Sequence, residues 1–173
     1  SAGLTGAGAL ASMAALRSGA GLVTLGVPES LSDVFEVKVT EVVTVALPET
    51  GARSLSPRAL PAIRELVEPA DALALGPGIS RHPETVALVR ELVGEIGLPA
   101  VIDADGLNAL SLDAVAGRKG EAPLVLTPHP GEMARLAGST IDEVQSDREG
   151  AAREAAGRAR ATVVLKGAGT VTA

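Results

Sequence analysis

The chain has no cysteine, tryptophan or tyrosine and a single phenylalanine, Phe35, among its 173 residues. Without thiols, disulfides and thiolate chemistry are excluded. Aromatics at 1% rule out base stacking as a main mode of recognition, and the core has to be aliphatic. Positive charge is also scarce: 15 Lys and Arg stand against 21 Asp and Glu, a net charge of −6 and a pI of about 5.0. That balance disfavours general attraction to nucleic acid or an anionic membrane while leaving room for a locally basic pocket. The apolar stretch from Ala2 to Leu16 lacks a basic leader, is rich in glycine and is too short to span a bilayer, so it reads as a buried helix. The expected partner is a small molecule and the expected compartment the cytoplasm.

What is abundant is aliphatic. At 46% hydrophobic and 21% charged, the chain can build one substantial core, and residues 1–173 are read as a single domain. Both ends read as cut, because Ser1 stands where an initiator Met is expected and Thr170-Val-Thr-Ala173 stops inside a strand-like run.

Apolar runs of strand length alternate with amphipathic segments of helix length, which predicts β-α-β units around a parallel sheet. Expected strands are 22–27, 42–47, 71–75, 100–102, 124–127 and 162–165. Expected helices are 6–18, a short one capped by Ser30, 56–67 opened by Ser56-Pro57, about 83–93, a turn after Asp105 that carries Leu107 and Leu110 inward, and one ending at Ala159 behind a Ser146/Glu149 capping box. Runs such as Ala72-Leu-Ala-Leu75 and Val163-Val-Leu165 lack polar alternation, as in strands covered on both faces. The implied class is a three-layer α/β/α sandwich with a mostly parallel central sheet.

Four apolar runs end in unusual loops: Gly76-Pro-Gly78, Asp103-Ala-Asp-Gly-Leu-Asn108, Thr127-Pro-His-Pro-Gly-Glu132 and Lys166-Gly-Ala-Gly169. In an open parallel sheet these loops share one edge, and ligands bind there at a reversal of strand order. Gly76 and Gly78 suit either close approach of a ligand or an ordinary turn. Asp103 and Asp105, two apart, lie on one face if the segment is extended, and such a pair holds Mg²⁺ through water or steers a hydroxyl. The alternative makes Asp105 a helix cap and Asp103 a loop brace, and Asn108 serves either scheme.

His129 is bracketed by Pro128 and Pro130 at a helix start, which favours a ligand contact over a purely structural role. The Lys166, Gly167, Ala168, Gly169, Thr170 run combines a cation, a turn poor in side chains and a hydroxyl, fitting either a nucleotide's phosphate and ribose or a plain hairpin. Gly6-Ala-Gly-Ala-Leu-Ala11 matches a dinucleotide-binding pattern, but that pattern needs a strand immediately before it.

In order, Thr5-Gly-Ala-Gly-Ala-Leu-Ala11, Leu75-Gly-Pro-Gly78, Asp103–Asn108, Leu126-Thr-Pro-His-Pro-Gly-Glu132 and Val164-Leu-Lys-Gly-Ala-Gly-Thr170 resemble the NAD(P)H-hydrate dehydratase family over nearly the whole chain. The resemblance implies a ribokinase-like fold and ADP- or ATP-dependent return of hydrated NADH or NADPH to the intact cofactor, with Mg²⁺. It implies that Ala7, Gly78 and His129 contact the hydrated nicotinamide nucleotide and that Lys166 through Thr170 hold the adenine nucleotide. The family's Gly-Asn-Pro-Gly-Met and Gly-Thr-Gly-Asp segments do not occur here. The catalytic aspartate is therefore expected beyond Ala173, and these 173 residues alone are expected to be inactive. Homotetramers and coupling to an NAD(P)H-hydrate epimerase are also implied. Three other readings stay open on residues alone: a ribokinase-like kinase of a small alcohol, a non-catalytic nucleotide-binding module, and a Rossmann oxidoreductase resting on Gly6–Ala11.

Overall fold

The computed structural model describes residues 1–173. In chain order it contains α1 (Thr5–Arg17), β1 (Thr24–Pro28), a 3₁₀ turn Glu29–Leu31, α2 (Ser32–Lys38), β2 (Val43–Leu47), a 3₁₀ turn Pro57–Ala59, α3 (Leu60–Val67), β3 (Leu73–Leu75), α4 (Pro83–Glu95), β4 (Ala100–Ile102), α5 (Asp105–Asn108), α6 (Leu112–Ala116), β5 (Leu124–Leu126), α7 (Pro130–Ala137), α8 (Ile141–Ser146), α9 (Arg148–Ala159), β6 (Thr162–Leu165) and β7 (Val171–Thr172). The chain divides into two compact units, residues 1–70 with 77–88, and residues 71–76 with 89–173.

In the first unit β1 and β2 pair in parallel, Thr24 opposite Val43 through Pro28 opposite Leu47. Val27, Leu31 and Phe35 form its core, with Leu25 packed against them. Small residues make this possible: a Cβ on Gly8 would lie 3.2 Å from the Phe35 ring, and one on Gly26 would lie 2.6 Å from Leu47. Gly8 thus admits the chain's one aromatic ring. The segment before α1 is a turn rather than a strand, so the dinucleotide pattern lacks its required context.

The second unit holds a five-stranded sheet in the order β3-β4-β5-β6-β7. The first three pairings are parallel and β6-β7 is an antiparallel hairpin, Val164 opposite Thr172. Successive strands are neighbours, so no reversal of order occurs inside this sheet, contrary to expectation; parallel pairing alone brings the strand ends to one edge. Ala100, Ile102, Leu124, Leu126, Val163 and Leu165 are buried. The register places Ala74, Val101 and Val125 together on the other face, where Val101 is 41% exposed. Apolar runs in this sheet therefore do not mean equal cover on both faces.

Two expected caps lie elsewhere. Ser30 sits inside the 3₁₀ turn and donates its hydroxyl to Glu49 at 2.8 Å. Ser146 ends α8 and bonds back to the Glu143 carbonyl, leaving Asp147 to cap α9 by accepting from Gly150 N at 2.8 Å. The true capping boxes are Thr140 with Glu143 and His129 with Glu132. Ser56 does precede the expected helix, but its hydroxyl donates to Pro48 O at 3.3 Å rather than to the helix end.

Candidate functional site

Strands β3 to β6 of the second unit deliver Gly76, Asp103, the 127–129 segment and Lys166 to the carboxyl edge of one sheet. Lys166 N donates to Pro128 O at 2.8 Å, which ties the ends of β5 and β6 together. The Lys166 ammonium lies 2.6 Å from Asp103 Oδ1 and 3.9 Å from Glu132 Oε2, so one cation stands between two carboxylates. Burial would raise the Asp103 carboxyl, but hydrogen bonds from Lys166 and Thr127, the Lys166 charge and the Ala104 amide outweigh it and hold the group below its ordinary value.

Asp103 and Asp105 do not share an extended face. Ala104 between them has φ 51° and ψ −122°, a region that side chains avoid, and Asp105 opens α5. Its Oδ1 lies 3.4 Å from Asn108 Nδ2, and Asn108 Oδ1 accepts from Arg135 Nε at 2.8 Å. Asp105 thus belongs to an Arg135–Asn108–Asp105 chain, and Asp103 is an ion-pair partner.

His129 is the N-cap of α7. Its Nδ1 accepts from Gly131 N at 3.0 Å and Glu132 N at 3.3 Å, while Glu132 Oε2 accepts from His129 N at 2.9 Å. An accepting Nδ1 carries no proton, so in this arrangement the neutral ring is protonated at Nε2. The structural role left as the lesser alternative by the sequence is realised, and Nε2 of this half-exposed side chain lies 3.4 Å from Oε1 of the buried Glu132. The His-x-x-Glu spacing was the available signal, a capping box with imidazole in place of hydroxyl.

The Lys166–Thr170 run is the turn of the β6-β7 hairpin. Gly167 (φ 145°) and Gly169 (φ 69°) take up left-handed conformations, and Thr170 Oγ1 donates to Gly167 O at 3.1 Å. Lys166 is therefore not the idle lysine of a plain hairpin. A cavity of about 490 Å³, lined by Arg148, Arg153, Ala168 and Gly169 among others, adjoins the turn. Arg148 was not singled out from sequence, since nothing local distinguishes it from the other arginines of an Arg-rich helix.

In the first unit the structure brings Ala7 and Gly78 together: a Cβ on Gly78, whose φ is 68°, would lie 2.7 Å from Leu4 O and 3.0 Å from the Ala7 methyl. Gly76 in the second unit is crowded by the Asp103 carbonyl and by Gly106 N. Backbone fills the space a Cβ would take at Gly76, and the Leu4 carbonyl with the Ala7 and Leu4 Cβ atoms fills it at Gly78.

No group of three or more His, Asp or Glu side chains is placed to hold a metal. With Asp103 paired to Lys166, the donor set suits a divalent ion carried mainly by phosphate oxygens and water, the usual habit of Mg²⁺.

The sequence model of NAD(P)H-hydrate dehydratase matches residues 1–173. The chain belongs to the NAD(P)H-hydrate dehydratase family. A bifunctional NAD(P)H-hydrate repair enzyme of Moorella thermoacetica is 51% identical over 171 residues, covering 99% of this chain and 32% of that protein. The family member described here thus spans about a third of the length of that relative. An ADP/ATP-dependent NAD(P)H-hydrate dehydratase of Bacillus subtilis, co-crystallised with ATP and Mg²⁺ and soaked with CoA, superposes with a TM-score of 0.76 at 28% identity, covering 100% of this chain and 58% of that one. A ribokinase-like superfamily protein of Enterococcus faecalis, 20% identical, has a TM-score of 0.72 over 96% of this chain and 55% of its own. The dehydratase fold is therefore ribokinase-like α/β, as expected. No helix is long and apolar enough to cross a membrane.

Proposed function

We propose that this chain contributes nucleotide and substrate binding to the ADP- or ATP-dependent dehydration of (6S)-hydrated NADH or NADPH. In this reading a terminal phosphoryl group of the nucleotide passes to the 6-hydroxyl oxygen. The C6–O bond then breaks, phosphate leaves, the adjacent carbon loses a proton, and the ring double bond returns. With ADP as donor the products are the intact cofactor, AMP and phosphate. Hydroxide is a poor leaving group and a phosphate ester a good one, which is why phosphorylation comes first.

The observation that carries the proposal is Lys166, 2.6 Å from Asp103, at the head of a glycine turn on the carboxyl edge of a parallel sheet. Its ammonium would meet phosphate oxygens, and turn amides would donate to the same charge. Asp103 and Glu132 flank that ammonium at 2.6 and 3.9 Å and fix its position. Asp105, steered by Asn108, would meet a ligand hydroxyl, and His129 Nε2 would donate to the hydrated nucleotide. Ala7 and Gly78, which pack against each other, would contact the hydrated nicotinamide nucleotide. Magnesium bound to the nucleotide would neutralise phosphate charge. A cytoplasmic setting, assembly as a homotetramer and coupling to an epimerase belong to the same proposal, the last supported by the bifunctional relative.

Calorimetric titration of the chain tests the proposal. Mg-ADP and hydrated NADH should each saturate it, and Lys166→Ala should weaken Mg-ADP by about tenfold or more, the usual loss with a charged hydrogen-bond donor. No measurable Mg-ADP binding by the unmodified chain would overturn it.

A further inference from the structure

We infer that Arg148 is the residue that positions the Lys166–Thr170 turn for nucleotide binding, which rests on the reading of that turn as the adenine-nucleotide site. Arg148 is the first residue of α9. Its Nη2 donates to the carbonyls of Leu165 at 3.0 Å, Lys166 at 3.3 Å and Gly169 at 3.3 Å, and its Nη1 donates to Gln145 Oε1 at 2.7 Å. One guanidinium thus gathers carbonyls from both ends of the turn and is itself anchored on α8.

The orientation of those carbonyls decides what the turn presents. In a planar trans peptide the C=O and the following N–H point to opposite sides. Drawing the Leu165 carbonyl to Arg148 directs the Lys166 N–H the other way, and it is found on Pro128 O at 2.8 Å. By the same geometry the Lys166 and Gly169 carbonyls, held by Arg148, direct the Gly167 and Thr170 N–H groups away from the guanidinium. Neither of these two amides donates to a protein acceptor. They are the donors a phosphate oxygen would meet beside the Lys166 ammonium.

Arginine suits this task for physical reasons. Its planar fork offers five donors at fixed angles and brings a positive charge to the carbonyl oxygens. Carbonyl oxygens turned toward an anion would repel it; here three are turned inward and covered by a cation. The fit is close, since a Cβ on Gly167 would lie 3.2 Å from both Nη atoms, so the glycine and the guanidinium depend on each other. Arg148 acts through the turn and is a positioning residue.

The test compares the unmodified chain with Arg148→Ala, Arg148→Lys and Gln145→Ala, by calorimetry with Mg-ADP and by backbone ¹⁵N relaxation of residues 166–170. Arg148→Ala should weaken Mg-ADP about tenfold by removing preorganisation, and turn order parameters should fall from about 0.85 toward 0.6. A lysine has one nitrogen and cannot hold the carbonyls and Gln145 Oε1 through separate groups as Nη2 and Nη1 do, so Arg148→Lys should recover affinity only in part, and Gln145→Ala should show a smaller loss. Hydrated NADH affinity should not change. Should Arg148→Ala not fold, Arg148→Lys and Gln145→Ala carry the comparison, and full affinity with a rigid turn in both would overturn the inference. If the unmodified chain binds Mg-ADP and Arg148→Ala binds it equally well, Arg148 loses its role while the nucleotide site stands. If the unmodified chain does not bind Mg-ADP, the site falls and this role falls with it.

Discussion

Lys166 Nζ and Asp103 Oδ1 meet at 2.6 Å although they lie 63 residues apart and leave strands β6 and β4, which are not neighbours, since β5 runs between them. The pair therefore bridges over the end of β5, where the Lys166 amide also donates to Pro128 O.

That acid should leave a signature in acid unfolding. The Asp103 carboxyl is held below its ordinary value in the folded chain, whereas in the unfolded chain it titrates near about 3.9. Its contribution is complete above the unfolded value and disappears as pH falls through the lower folded one. Urea unfolding followed from pH 6 downward should show a steeper loss of stability below about pH 4 in the unmodified chain than in Asp103→Asn. Equal slopes would mean that Lys166 and Thr127 do not lower this carboxyl.

His129 has a cap to make and an edge to spare, and two substitutions separate them. His129→Ala leaves Gly131 N and Glu132 N without their acceptor and should cost about 1 kcal/mol of stability. Asn is a good cap of similar reach, so His129→Asn should restore most of that loss. If the Nε2 edge also touches the hydrated nucleotide, His129→Asn should bind it more weakly than the unmodified chain while melting at nearly the same temperature. A His129→Ala chain of undiminished stability would show that the cap contributes nothing.

How much of this was legible in the sequence varied with the range of the interaction. Strands Ala100–Ile102 and Thr162–Leu165 match expectation because an uninterrupted aliphatic run bounded by Pro99 or Arg160-Ala161 has few alternatives. Helices α6 and α8 were missed: at 5 and 6 residues they are too short for an amphipathic period to register. Ser146 was misread because its serine-to-glutamate spacing is a capping signature only if the chain is not already helical, and α8 reaches it first. The loops that carry the candidate site were legible as glycine, proline and acid clusters, but their partners were not. The ion pair of Asp103 with Lys166, and the hydrogen bonds from Arg148 to carbonyls 17 to 21 residues away, depend on strand order, which no local pattern encodes.

Ala104 offers a gain rather than a loss. Its φ of 51° with ψ of −122° is a conformation natural to glycine and strained for alanine by about 1–3 kcal/mol. Glycine forfeits about 0.5–1 kcal/mol through the greater freedom of the unfolded chain. Ala104→Gly should therefore raise stability by up to about 2 kcal/mol, seen as a higher midpoint in urea. A lower midpoint would show that the strain is not present. Mg-ADP affinity is the second readout, since a freer Asp103–Asp105 segment should bind less tightly even as the fold gains.

Gly76 and Gly157 make opposite predictions for the same substitution. Gly76 has φ 124° and meets the Asp103 carbonyl and Gly106 N, both backbone, while Gly106 in turn has no room for a Cβ against Ile102 and Leu75 O. The two glycines let the end of β3 and the start of α5 touch, so a methyl at Gly76 has to displace the segment that carries Asp103. Gly76→Ala should cost more than about 2 kcal/mol, the range of strained backbone positions without space. It should also abolish the difference in acid slope assigned above to Asp103, because the carboxylate is moved off Lys166. Gly157 lies inside α9 with nothing within 4 Å of a built Cβ, so Gly157→Ala should stabilise by about 0.5–1 kcal/mol through helix propensity alone. Thermal melts of the two variants should move in opposite directions, and a Gly76→Ala chain as stable as the unmodified one would remove the contact that holds the Asp103 loop in place.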